Sequence, residues 1–363
     1  MTYTAAGRAA RILWTTALTG TAPPDASSED LTAVSRTLVD RLLRRVSPGW
    51  AASLLAPLAS RFGTPLVDPA AARPAALLSK LTLAAQAAAL ARLDAAGVPA
   101  VALKGFANAH LLHPDPSARI VGDLDVLVPR DALGAAIDVF APLGYRFGGV
   151  GARRWGFVSD ASFVPFHSPD GVVNIDLHVA PDAYPLTLGL PAADVFAGAR
   201  AVAGPAGPFR APKDEHVLLI CASNAAKDRF GWQTISKMVD AARLLVARGA
   251  SLDWDEIDRR AGAARLRRAL DVTLALLVAL GLPSTAIPAG RGAPPRGYAG
   301  AVFASVVGEW LAMFPDDVSG AAALWREAVL VHAPATVARL NARRLAGLLR
   351  PGDGVPAEAR GRV

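Results

Sequence analysis

The chain has a single cysteine, Cys221, among 363 residues. One thiol excludes an internal disulfide and agrees with a reducing compartment. It sits in the apolar stretch "VLLICA", where core packing is its expected role. Structural zinc is excluded too, because His110, His113 and His167 lack zinc-site spacing and have no set of thiols to join them. Aromatic residues make up only 6%, and no basic block is interleaved with them, so the formal charge of +7 permits a polyanionic partner without pointing to one. The arginines are scattered among Ala, Gly and Pro. Uninterrupted apolar runs such as "TLALLVALGL" fall well short of the roughly 18–20 residues that span a bilayer. The N-terminal "MTYTAAGRAARILW" has no long apolar stretch followed by a small-residue cleavage site. The expected setting is therefore the cytoplasm, with no membrane partner.

What is present is a hydrophobic fraction of 52%, arranged in short patterned segments. That is the composition of a folded protein with a full core. The spacing predicts helices over Leu31 to Leu58 and over Ala72 to Ala96, the second closed by Gly97 with Pro99 just beyond. "VPAVAL" reads as a short strand and "KGFANAHLL" as a strand-to-helix turn. An acidic strand and the helical "DALGAAIDVFAPLGY" follow. Between Trp155 and Val179 two strand-like runs flank "SPDG", a tight-turn sequence, which predicts a hairpin. Beyond Asp214 the chain reads as long Ala/Leu-rich helices, interrupted by the loop "IPAGRGAPPRGYAG". The expected fold class is α+β, a small mixed sheet flanked by helical regions. The expected division is a helical region at 1–96, a sheet core at 97–212, a helical region at 213–350 and a flexible tail at 351–363.

The most informative stretch is "IVGDLDVLV". Side chains alternate along a strand, so Ile120, Gly122, Leu124, Val126 and Val128 make one face, and Asp123 and Asp125 share the other. Two adjacent carboxylates repel and resist burial unless a cation neutralises them. Mg²⁺ is held in this way, by one or two carboxylates together with substrate phosphates. "VVNIDLHV" repeats the pattern, with Asn174, Asp176 and His178 on its polar face. If the two strands are neighbours, Asp123, Asp125 and Asp176 converge, as two-metal phosphoryl or nucleotidyl transfer requires. The plain alternative is a set of solvated carboxylates at strand ends, and Asp170 and Asp182 are the nearest other carboxylates to Asp176. Lys104 with Gly105 could meet a phosphate at a helix N-terminus, or Lys104 could be an ordinary surface lysine. Arg119 suits either a phosphate or an ion pair with Asp123. Lys227 and Arg229 fall near a helix end and face either the cleft or solvent. His178 is a ligand or a hydrogen-bonded edge residue, and Asp240 is expected to make a structural hydrogen bond.

Taken in order, "LKG", "R..GDLDVLV" from Arg119, "IDLHV" and "KDEHVLLICASNAAKDRFGWQTISKMVDAARLL" resemble the uncharacterised nucleotidyltransferase family of the polymerase-β-like superfamily, over roughly Ala75 to Leu245. The resemblance implies a small mixed sheet, a triad of Asp123, Asp125 and Asp176 binding two Mg²⁺ ions, and transfer of a nucleoside monophosphate from an NTP, ATP foremost, to a hydroxyl acceptor. Asp176 would serve as ligand and candidate general base, while Lys104, Gly105, Arg119 and Lys227 would meet the NTP. The family context favours a peptide or small-molecule acceptor of a biosynthetic pathway. A toxin-like transferase acting on tRNA and a non-catalytic nucleotide-binding protein are the alternatives. The sequence departs from the superfamily pattern in having Lys104-Gly105 in place of a Gly-Ser pair, and eighteen positions between Gly105 and Asp123.

Overall fold

The computed structural model describes residues 5–27, 36–148, 160–349, 352 and 354–359. Its N-terminal helices are α1 (Ala5–Thr19), α2 (Arg36–Leu43), α3 (Pro48–Phe62) and α4 (Pro69–Ala95). The single helix expected from Leu31 to Leu58 is thus broken, and its first five residues lie outside the described set. The break has a local cause: the Ser47 hydroxyl accepts from the Trp50 N–H as an N-cap, and Pro48 takes the first helical position, where its missing N–H costs nothing. The second expected helix begins three residues early, at Pro69, capped by Asp68.

The sheet follows as β1 (Val101–Ala102), β2 (Leu124–Leu127), β3 (Arg146–Phe147), β4 (Phe166–His167) and β5 (Asn174–His178). Helix α5 (Lys104–Leu112) links β1 to β2, and α6 (Leu133–Phe140) follows β2. The spatial order is β1-β2-β5-β4-β3. Strands β2 and β5 are parallel and the other pairs antiparallel, so the sheet is mixed as expected. The hairpin is present as β4 and β5, with Gly171 in the left-handed region closing the turn onto Ser168. The start of its first run, 155–159, lies outside the described residues. "KGFANAHLL" is helix α5 itself rather than a turn leading into one.

The remaining elements are α7 (Ala192–Gly198), the ribbon β6 (Arg200–Val202) and β7 (Phe209–Ala211), α8 (Asp214–Lys227), α9 (Ile235–Arg248), α10 (Trp254–Ala263), α11 (Arg267–Ala279), α12 (Gly297–Leu311), α13 (Gly320–Arg326) and α14 (Pro334–Leu349). Two hydrophobic clusters organise them. One joins N-terminal residues such as Trp14 and Leu54 to C-terminal ones such as Leu218, Leu244, Leu276 and Trp310, so the two helical regions share a core. The other gathers Phe106, Leu124, Val126, Phe140, Phe166, Ile175 and Leu177 around the sheet, together with Leu83, Leu90 and Leu93 of α4. Packing therefore crosses the division expected at residue 96. Part of the expected flexible tail is docked as well. The Val164 N–H donates to the carbonyl of Gly354 (2.9 Å), and Ala359 is buried in the sheet core.

Helix α4 is long and apolar enough, by length and composition, to cross a membrane, which the reading of uninterrupted apolar runs did not anticipate. Its alanines carry the mean hydropathy. In this structure its buried stripe packs against the sheet core, and Gln86 on that stripe donates to the carbonyl of Gly122 (3.1 Å).

The polar face of the sheet is what positions the site. In β2, Leu124 and Val126 point into the sheet core while Asp125 and Leu127 take the other face. The expected longer face is corrected at its start: Ile120 and Gly122 are exposed and the strand begins only at Leu124. Asp123 therefore enters the site from the loop that precedes the strand.

Candidate active site

A cavity of about 520 Å³ opens between the polar face of the sheet, the N-terminal turn of α5 and the paired helices α8 and α9. Its acidic wall comes from strand register. Asp125 stands directly opposite Asp176, and Leu127 opposite His178, in the parallel β2–β5 ladder. Asp123, one residue ahead of β2, lines the same cavity, close enough for its charge to act on Asp176. The three carboxylates named from sequence are thus brought together, whereas Asp170 lies in the β4–β5 turn, bonded to Ser168 and the Val172 N–H.

Helix α5 starts abruptly at Lys104, which adopts a positive φ of 46°. Left-handed backbone costs a non-glycine residue roughly 1–2 kcal/mol. Here that conformation goes with an ammonium placed 2.8 Å from Asp125 Oδ1, so Lys104 is a partly buried site residue and not a surface lysine. No side chain caps this helix, which leaves first-turn N–H groups beside the cavity. A Cβ at Gly105 would meet Val121 Cγ1 at 3.4 Å and Arg119 Nη1 at 3.9 Å, ordinary contact distances, so packing does not by itself demand glycine there.

The electrostatics divide the acids. Burial by itself would raise the Asp125 pKa, but the Lys104 ammonium and the His178 ring, whose Nε2 lies 2.9 Å from Oδ1, hold it well below the ordinary carboxylate range. Asp176 is pushed up to about 8 by burial and by the charges of Asp125 and Asp123. Asp123 is raised by the Asp125 charge and by burial. His178 is lowered by burial and by Lys104, so its ring is neutral at pH 7. Lys104 supplies this wall with a positive charge.

The donor chemistry fits a divalent cation. Ligand atoms of Asp125, Asp176 and His178 lie within 4.8 Å of one another, and Asp176 Oδ1 is buried with no hydrogen-bond partner. Asp123 stands beside this group. His178, left open between ligand and edge residue by the sequence, is therefore part of the compact set.

Arg119 is where the sequence expectation needs correcting. Its guanidinium does not pair with Asp123. Its Nε and Nη2 bind the two carboxylate oxygens of Asp240 at 3.1 and 2.9 Å, a buried bidentate pair, and a further N–H reaches the carbonyl of Ile120. Asn108 Nδ2 (2.9 Å) and His113 Nε2 (3.2 Å) complete the shell of Asp240. Asp240 thus has the structural role expected of it, and it fixes the Arg119 to Asp123 loop against α9. Arg229 turns away to Glu327, 3.2 Å distant.

The opposite wall holds Asp182 and Lys227, and beside them Lys237, which the sequence did not bring forward. Asp182 is buried, accepting from Ser223 Oγ (2.7 Å), Asn224 Nδ2 (3.2 Å) and Lys227 Nζ (3.3 Å). Lys227 therefore does reach the cavity, at its rim and paired. Lys237 also lines it, bonded to Asp228. The only hint of Lys237 in the sequence was its place three residues before Asp240.

Comparison with protein families then decides the class. The model of a family described as "Uncharacterised nucleotidyltransferase" matches residues 70–281, more than half of the chain. The chain belongs to that family. No curated protein matches it, and neither does any solved structure. The matched span of this nucleotidyltransferase runs from α4 through α11, and so contains the sheet, both walls of the cavity and the Arg119–Asp240 clasp. Helices α1–α3 and α12–α14 lie outside it.

Proposed function

We propose that the protein transfers a nucleoside monophosphate from an NTP, with ATP the first candidate, to a hydroxyl of a peptide or small molecule. The observation that carries this reading is the β2–β5 register, which sets Asp125 beside Asp176, with Asp123 lining the same cavity, one large enough for a nucleotide.

In this reading Asp123, Asp125 and Asp176 hold two Mg²⁺ ions, with His178 beside them. When bound, these ions would neutralise phosphate charge and favour ionisation of an acceptor hydroxyl. The chain's own groups do the rest. Asp176 accepts the acceptor proton as the hydroxyl attacks the α-phosphorus, a role its place in the group with Asp125 and His178 allows. Lys104 exchanges Asp125 for a phosphate oxygen, and the uncapped first turn of α5 offers N–H donors to the same group. Pyrophosphate leaves against this positive end of the helix. Arg119 contributes by holding the loop that carries Asp123, not by touching phosphate.

The test is incubation with α-labelled NTPs, Mg²⁺ and separate panels of peptides, small-molecule alcohols and tRNA. The expected result is label on a peptide or small molecule together with pyrophosphate release, abolished by EDTA. Label on tRNA alone would replace the acceptor part of the reading. Tight NTP binding without label transfer or pyrophosphate release under any condition would refute the reaction.

A further inference from the structure

We propose that Lys237 on α9 and Lys227 at the end of α8 form a clamp for the polyphosphate of the NTP, and that Asp228 holds Lys237 in reserve when no nucleotide is present. This inference rests on the NTP reading of the cavity.

Among the described residues, four basic side chains line the cavity: Lys104, Arg119, Lys227 and Lys237. Arg119 is committed at two guanidinium nitrogens to Asp240 and at a third to a backbone carbonyl, all buried. Lys104 stands against the carboxylates and accounts for one charge. A triphosphate brings about four negative charges, of which divalent ions on the acidic wall offset those nearest the reacting phosphorus. The tail then needs cations from the opposite wall. Lys227 and Lys237 are what that wall supplies, with side chains 44% and 29% exposed.

Their placement is built and not incidental. Helix α8 ends at Lys227, and the chain reverses through Arg229 and Phe230, both at positive φ (55° and 58°). Two consecutive non-glycine residues in the left-handed region persist only where surroundings enforce them. They do so here: Phe230 is fully buried, the Trp310 indole N–H donates to its carbonyl (2.9 Å), and Arg229 is tied to Glu327. The reversal fixes Lys227 and Asp228 at the cavity rim. On α9, Lys237 lies one helical turn before Asp240, itself locked by Arg119, His113 and Asn108, so its stem is held on the cavity side. Its charge is felt by Cys221 at the cavity wall.

Both lysines rest on internal carboxylates. Lys237 Nζ is 3.0 Å from Asp228 Oδ2 and 2.8 Å from the Gln233 carbonyl, and Lys227 Nζ is 3.3 Å from Asp182. Asp182 keeps Ser223 and Asn224 when Lys227 leaves. Asp228 is partly exposed and can return to water. Asp228 can therefore release Lys237 to a phosphate by returning to water, whereas Asp182 is left with two neutral donors and the charge of Lys104 when Lys227 turns.

The two partners of the Lys237 and Asp228 pair should consequently act in opposite directions on ligand binding, which a merely structural pair would not do. The experiment is calorimetric titration of the full-length protein with Mg-ATP, AMP and inorganic tripolyphosphate, using wild type, Lys237→Gln and Asp228→Asn, with thermal unfolding confirming that each variant is folded. Lys237→Gln should weaken ATP and tripolyphosphate about ten-fold, the scale of one charge-assisted bond, and leave AMP within about two-fold. Asp228→Asn should tighten both polyphosphates by about three-fold or more, because it releases the lysine. Unchanged ATP affinity in Lys237→Gln, equal losses for ATP and AMP, or weaker polyphosphate binding in Asp228→Asn would each overturn the clamp while leaving the NTP reading intact. Failure of the wild-type protein to bind Mg-ATP would remove the NTP reading, and the clamp with it.

Discussion

Replacing Asp240 by asparagine should loosen the loop that delivers Asp123, and the cost can be worked from the contacts. The carboxylate takes two bonds from Arg119 and one from Asn108, and lies 3.2 Å from His113 Nε2, all at a position 1% exposed. Asparagine keeps the volume but leaves the Arg119 guanidinium buried without its counter-charge, a change that costs about 3–5 kcal/mol in comparable sites. Urea unfolding followed by circular dichroism should show that loss, and the midpoint of thermal unfolding should fall by roughly 4–7 °C. The effect also has a pH signature. Burial alone would raise the Asp240 pKa, but Arg119 and His113 hold it well below the ordinary carboxylate range. A depressed folded pKa means that the contribution is complete above the unfolded value near ~4 and is lost as pH falls toward the folded one. The difference between wild type and Asp240→Asn should therefore be flat from pH 7 to about 5 and shrink below about 4. Adding Arg119→Met should recover a large part of the loss, since the stranded charge is then gone. A penalty under about 1 kcal/mol, or strict additivity in the double variant, would show that the pair does not hold this loop.

Asp176→Asn should cut turnover by at least ~100-fold while Mg-ATP affinity stays within a few-fold, as measured by label transfer and calorimetry; full activity would make Asp176 a bystander. The same variant should unfold no earlier than wild type without divalent ions, because it removes a carboxyl whose ionisation Asp125 and Asp123 oppose. Lys104→Ala should destabilise the metal-free protein by about 1–3 kcal/mol, since Asp125 loses its cation, and Mg²⁺ should restore much of this; a thermal-shift titration without such rescue would separate Lys104 from the ion site. ATP binding should be far tighter with Mg²⁺ than with EDTA, and equal affinities by calorimetry would refute cation-bridged binding.

The alternation in "IVGDLDVLV" and "VVNIDLHV" was enough to place Asp125, Asp176 and His178 on one face, because strand side chains have a fixed period of two. The resemblance called for a small mixed sheet and for the nucleotidyltransferase family, which the strand order and the matched span bear out. Local signals went no further than local geometry. That β2 and β5 are parallel neighbours in matching register is a long-range pairing, and it sets Asp125 beside Asp176, while Asp123 comes from the loop before β2. Arg119 could not be assigned from sequence because its partner, Asp240, lies 121 positions away on a helix brought alongside by packing. Lys237 carried no motif and gained its place from the locking of Asp240, one turn further along α9, by Arg119, His113 and Asn108. Period and propensity belong to neighbouring residues and are written in the chain, whereas the choice of partner for a buried charge is made by whichever distant group the folded core sets within hydrogen-bonding reach.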